Sequence, residues 1–328
     1  MDNNQENNSV ENIGNNSEGI SRKLLIFDSV LIVLIVFMVF LIYSLYTSPV
    51  RRNITQSDQS EEITIKPVFE DIKLTAKSAY VFDITTNKVI FKKNEFVQLP
   101  LASLTKLMTA LTASELLPPD SRVIIKKEFL REEGDTGLLS DESWKLKDLL
   151  DFSLVVSSND GARSVASVVG AFDLKSDDYE LGRKYFITKM NLKAQELGLK
   201  QTYFVNESGL DIGSTSGGYG SAIDVAKLMK YILTTKPELI EATKYPTIIV
   251  DSLDKTHKIE NTNTDIGDIP GLIASKTGYT DMAGGNLVVA FDASMGKPII
   301  VVVLGSTLEG RFEDVANLVN ASLKYVSQ

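Results

Sequence analysis

The sequence predicts a mixed α/β (α+β) domain in which strands from both ends of the folded region form one antiparallel sheet around a helical insertion, with one transmembrane helix ahead of it. Three observations predict this. β-rich runs occur at 78–94 and again at 271–306, residues 103–235 carry mainly helical patterning, and an unbroken apolar run spans 30–43. With 328 residues, 43% of them hydrophobic, the chain can bury a full core.

In chain order, residues 1–21 are rich in Asn and Glu and read as a disordered cytoplasmic tail. Residues 22–46 read as an uncleaved transmembrane anchor, because the segment is apolar on every face and no small-x-small cleavage site follows it. Arg22 and Lys23 flank one end and Arg51 and Arg52 the other, so the positive-inside rule leaves the orientation tied. Residues 47–64 form a polar linker, and 65–328 the folded domain. There, 78–94 predicts a hairpin about Thr85-Thr86-Asn87. A helix over 103–117 stops at Pro118-Pro119, two more at 146–156 and 160–169 flank a short polar break, and Ser221 with Asp224 forms a capping pair. Strands follow at 246–252, 271–278, 284–293 and 297–306, the last two joined by a turn at Met295-Gly296, and an amphipathic helix over 311–326 packs on the sheet. Trp144 and the aromatics of 65–96 read as core.

Composition excludes several chemistries. A net charge of −9 without a basic stripe argues against a nucleic-acid partner. The chain has one histidine, His257, and no cysteine, so a Cys/His pair is impossible and multi-His or multi-Cys zinc sites are excluded. His257 falls in a hairpin and reads as a surface residue rather than a catalyst. No metal or organic cofactor is implied. A serine nucleophile at Ser103 would therefore need another base, and Lys106 shares its helical face three residues on. Burial can lower a lysine pKa far enough for that task. Such a pair alone also fits a helix cap beside an exposed lysine. Ser157-Ser158-Asn159 in the break between two helices, and Lys276-Thr277-Gly278 late in a strand, make the set far more specific in this order.

With this trio the chain resembles the penicillin-recognising serine enzymes, and among them the low-molecular-mass penicillin-binding proteins of the D-alanyl-D-alanine carboxypeptidase (S11 serine peptidase) family. Segments 80–111, 204–211, 261–263 and 275–288 are similar to that family's, and Leu101 and Gly161 depart from its usual pattern. The resemblance implies a β-lactamase/transpeptidase-like fold without the extra β-rich domain of many members. It also implies that the N-terminal anchor takes the place of a C-terminal tether. The catalytic residues it implies are Ser103 as nucleophile, Lys106 as base, Ser157 as proton relay and Asn159 as the orienter of Lys106 and a substrate amide. Lys276, Thr277 and Gly278 would bind the substrate, and the N–H groups of Ser103 and Tyr279 would hold the oxyanion. The implied partners are peptidoglycan stem peptides ending in D-Ala-D-Ala, β-lactams as acylating inhibitors, and the bacterial cytoplasmic membrane, with the domain on its outer side. A D-alanyl endopeptidase is the nearest alternative. A serine β-lactamase using Glu207 and a non-catalytic peptidoglycan-binding protein are more distant ones.

Overall fold

The computed structural model describes Met38 and residues 67–328 apart from Asp71 and Asp135. The residues from 67 onward belong to one unit of the chain. The expected tail at 1–21, anchor at 22–46 and linker at 47–64 lie outside the described residues, Met38 excepted. Among the described residues no helix is long and apolar enough to cross a membrane.

Strands β1 (Ser78–Asp83) and β2 (Lys88–Lys93) form the expected hairpin. The short β3 (Leu99–Pro100) leads into a 3-10 turn, Ala102–Thr105, and then α1 (Lys106–Leu116). Helix α1 is buried from Lys106 to Ala113, as a helix without a clear polar face must be. It ends where Leu117 turns extended ahead of Pro118. A pair of short strands follows, β4 (Arg122–Ile124) and β5 (Ser143–Lys145). Then come α2 (Leu146–Val155), α3 (Asn159–Leu174) and α4 (Tyr179–Glu196). Strands β6 (Tyr203–Phe204) and β7 (Gly218–Gly220) follow, and β7 pairs with both β3 and β6. Helix α5 (Ala222–Thr235) is capped as its sequence predicts, with the Ser221 hydroxyl accepting from the Asp224 N–H.

The C-terminal part supplies a hairpin, β8 (Thr247–Asp251) with β9 (Thr256–Glu260), and then β10 (Leu272–Thr280), β11 (Gly284–Asp292), β12 (Pro298–Ser306) and α6 (Gly310–Val326). The main sheet runs β10-β11-β12-β1-β2 with every neighbouring pair antiparallel, so both ends of the domain do build it. Strand β12 is apolar almost throughout because both sheet faces are covered. Ile300, Val302 and Leu304 enter a core with α1, α2 and α5. Ile299, Val301 and Val303 enter a second core with Val315, Leu318 and Val319 of α6. Each such side chain contributes about 1.5–3 kcal/mol through burial, set against the entropy of ordering the chain.

Two expectations are corrected. His257 is not a surface residue: it lies on β9, 7% exposed, its ring against Trp144 and Phe152. The β8–β9 hairpin docks on β5, with Leu253 N–H bonded to the Ser143 carbonyl, and turns His257 inward at a buried position of its strand. Trp144 is fully buried as expected, but Phe96 is 62% exposed in the loop after β2, where no element covers it.

Candidate active site

Strand β3 hydrogen-bonds to β7 and delivers the chain into the 3-10 turn that carries Ser103. Ala102, just before it, sits at φ +47°, in the left-handed region that residues other than glycine rarely occupy. Such strain persists only where surroundings enforce it, and here Gly209 is packed hard against the turn. Gly209 has φ +85°, and a Cβ there would lie 1.9 Å from the Ala102 carbonyl oxygen. The turn also places Lys106, the first residue of α1, beneath Ser103.

Lys106 is 1% exposed, and its Nζ reaches Ser103 Oγ at 2.9 Å, Asn159 Oδ1 at 2.7 Å and the Ser208 carbonyl at 2.8 Å. Three acceptors use all three hydrogens of an ammonium. None of them is a carboxylate, so burial prevails over the more distant Glu207 and Glu132 and lowers the Lys106 pKa to about 7. Near neutral pH a large fraction is the free amine, whose lone pair can accept the Ser103 hydroxyl proton.

Ser157 occupies the break between α2 and α3 at φ +60°, a second strained position in the site. Its Oγ accepts from Lys276 Nζ at 2.9 Å. Ser158 is a helix cap, its hydroxyl accepting from the Gly161 N–H, and Asn159 opens α3 with Nδ2 donating to the Glu133 carbonyl at 2.7 Å. Lys276, 2% exposed on the edge strand β10, also donates to the Thr277 carbonyl. Burial, followed by the charges of Lys106 and Arg311, holds the Lys276 pKa well below the usual lysine value. Thr277 Oγ1 pairs with Thr262 Oγ1 at 2.6 Å. At Gly278 a Cβ would lie 3.1 Å from the Ser103 nitrogen and 3.0 Å from the Leu101 carbonyl oxygen, so any side chain here would press on the Ser103 turn that glycine lets β10 approach. Tyr279 follows, 46% exposed.

The eight residues singled out in the sequence thus form two hydrogen-bonded groups, Ser103–Lys106–Asn159 and Ser157–Lys276, with Thr277, Gly278 and Tyr279 along the strand beside them. Each hydroxyl is partly open to solvent above a buried amine. Several participants carried no signal in the sequence. Arg311 of α6 reads as one more residue of an amphipathic helix, yet its Nη1 donates to the Gly278 carbonyl at 2.9 Å and steadies β10 from behind. The Ser208 carbonyl acts through main chain, which no side-chain motif reveals. Glu207 is 1% exposed and held by Arg183 Nε at 2.9 and 3.0 Å, so its carboxylate is committed to an ion pair rather than free to activate water. Among the described residues no group of three or more metal-ligating side chains gathers.

Residues 64–307 match the model of peptidase family S11, D-alanyl-D-alanine carboxypeptidase. The chain is 30% identical over 251 residues to D-alanyl-D-alanine carboxypeptidase DacF of Bacillus subtilis, a match that takes in 75% of this chain and 61% of that relative. It therefore spans about three fifths of that relative's length. It is likewise 30% identical over 245 residues to the D-alanyl-D-alanine endopeptidase of Escherichia coli, covering 71% of this chain and 72% of the relative. The crystal structure of penicillin-binding protein D2 from Listeria monocytogenes in its ampicillin-bound form superposes with a TM-score of 0.66 at 29% identity, over 76% of this chain and 98% of that one.

Proposed function

The chain belongs to the D-alanyl-D-alanine carboxypeptidase family of S11 serine peptidases, and from that membership we propose that it removes the terminal D-alanine from peptidoglycan stem peptides through an acyl-enzyme on Ser103. The observation that carries this reading is the buried Lys106 amine, 2.9 Å from Ser103 Oγ with a pKa of about 7. Lys106 takes the hydroxyl proton as Oγ attacks the carbonyl carbon between the two D-alanines. The N–H groups of Ser103 and Tyr279 hold the oxyanion, a type of contact worth roughly 100-fold to 1000-fold in rate. As the C–N bond breaks, the proton that Lys106 took passes by way of the Ser157 hydroxyl, held by Lys276, to the leaving nitrogen, and Lys106 is a free amine again. Water then hydrolyses the ester.

Lys276 and Thr277 bind the free carboxylate of the terminal residue. Desolvation disfavours a charge on Lys276 in the empty site, and an arriving carboxylate compensates that cost, so carboxylate binding favours the ammonium form. Asn159 has a second amide hydrogen free to meet a substrate carbonyl while the first serves Glu133. β-Lactams acylate Ser103 in the same way and act as inhibitors.

The purified full-length chain, incubated with a fluorescent penicillin and weighed intact, is expected to gain one adduct that Ser103→Ala abolishes. An intact fold with no adduct would end the proposal. Free D-alanine released from a linear peptide ending in D-Ala-D-Ala separates the carboxypeptidase reading from the endopeptidase one, which predicts faster cleavage of a cross-linked dimer. The substrate lies outside the cytoplasmic membrane, so the reading includes a tail at 1–21 inside, an anchor at 22–46, a linker at 47–64 and the domain at 65–328 outside. Protease added to intact protoplasts should then digest the domain.

A further inference from the structure

The stretch after the 3-10 turn Lys127–Phe129 is tied to three consecutive residues at the start of α3. Thr136 Oγ1 shares a hydrogen bond with Ser158 Oγ at 2.7 Å, the Glu133 carbonyl accepts from Asn159 Nδ2 at 2.7 Å, and the Glu132 N–H donates to Asp160 Oδ1 at 2.9 Å. One turn further along α3, Arg163 pairs with the Glu132 carboxylate. A carboxamide has one end that only donates and one that only accepts. Of the two ends only Nδ2 can donate to the Glu133 carbonyl, and that bond turns Oδ1 toward Lys106. With the amide reversed, two donors would face each other at Lys106 and two acceptors at Glu133.

Resting on the reading of Lys106 as the base for Ser103, we propose that Glu132 is a positioning residue for acylation: its ties to Asp160 and Arg163 keep the Glu133 carbonyl on Asn159, and so keep the Asn159 oxygen on Lys106. Glu132 also acts through charge. The ionisable groups around this corner are Glu132 itself, Asp160 and Arg163 on α3, Glu180 and Arg183 on α4, Glu207 after β6, Lys276 on β10, and Lys106. Glu132 is one of the two carboxylates that favour the charged form of Lys106. Removing its charge makes the free amine more abundant at a given pH.

The test is the rate of acylation by a fluorescent penicillin as a function of pH, for the full-length wild type, Glu132→Gln and Arg163→Gln, with circular-dichroism melts of each. E132Q is expected to lower the high-pH plateau about tenfold, the scale of a small misplacement of a catalytic group, and to move the acid limb down by about half a pH unit, the scale of one partly solvated charge. R163Q keeps the carboxylate, so it should lower the plateau without moving the limb downward. If E132Q does not fold, the plateau of R163Q decides. A purely structural role would lower the melting temperature and the active fraction while leaving both the plateau rate per active enzyme and the limb as in the wild type, and that result overturns the proposal. Wild-type plateau and limb in both variants overturn it too, while a wild-type adduct on Ser103 leaves the peptidase reading standing. Absence of that adduct in the wild type would remove both.

Discussion

Two buried lysines in this molecule have opposite fates. Lys106 is met by a hydroxyl, an amide oxygen and a main-chain carbonyl. Lys193, on the far part of α4 and 7% exposed, meets the carboxylates of Glu115 at 2.7 Å and Glu196 at 2.9 Å. Burial lowers the pKa of both. At Lys193 the hydrogen bonds to Glu115, Glu196 and the Tyr231 hydroxyl overcome it and raise the pKa, whereas at Lys106 nothing comparable does. The same contrast separates the Ser103–Lys106–Asn159 cluster from the Glu142–His257 cluster. There His257 Nε2 lies 2.5 Å from Glu142 Oε1, and Ser252 Oγ and the Leu139 N–H complete the carboxylate's bonding. Buried charged groups whose partners stabilise the charge fasten elements together. Those left with neutral partners keep a proton that is easily moved.

The largest break in this comparison comes from Lys106→Met, which keeps the bulk and removes the base. Acylation of Ser103 by a β-lactam should slow by about 1000-fold, the scale of a lost general base, measured by stopped-flow fluorescence with the melt as control.

Next in size is Glu142→Ala, which leaves His257 buried beside a void. It should cost about 3 kcal/mol, as removing a buried carboxylate and its hydrogen bonds does, or about 10 °C in Tm for a domain of this size, without shifting the pH dependence of acylation. Burial alone would raise the Glu142 pKa, but the hydrogen bonds from His257 and Ser252 bring it below the usual carboxylate range. For a carboxyl depressed in the folded state, the stabilisation is present at neutral pH and lost as pH falls through the folded value. The deficit of Glu142→Ala in denaturant melts should therefore shrink in acid. A constant deficit would mean that packing, rather than the hydrogen bonds to the carboxylate, holds the hairpin.

A smaller effect sharpens the Lys106 side. With a pKa of about 7, the free-base fraction falls with pH, so wild-type acylation should show an acid limb near pH 7 and drop about tenfold for each unit below it. A limb above pH 9 would place Lys106 with Lys193 as an ordinary ammonium. The smallest effect is expected from Lys193→Met, about 1 kcal/mol at most in chemical denaturation, because Met keeps the apolar stem packed and the Glu115 and Glu196 carboxylates, 29% and 66% exposed, are left to solvent.

Much of the architecture could be read without coordinates. The alternating and continuous apolar runs of β1, β11 and β12 specify strands buried on one or both faces, and the Ser221–Asp224 cap and Pro118 mark helix ends through local chemistry alone. Ser103, Lys106, Ser157, Asn159 and Lys276 could be chosen as a set because their residue types and order are specific. His257 was misread because its strand alternates and nothing local says which face meets β5. Glu132 and Arg311 carried no signal, since a charged residue in a loop or on a helix face reads as solvated until another element arrives beside it. The sequence by itself determined the elements and the chemical identity of the nucleophile and its amine, because those depend on residues near one another in the chain. Only the tertiary structure decided that the amine is buried with its pKa lowered to about 7. The groups that bury it and refuse it a counter-charge, Asn159 and Ser208, lie 53 and 102 residues away, and desolvation is a property of the assembled surroundings.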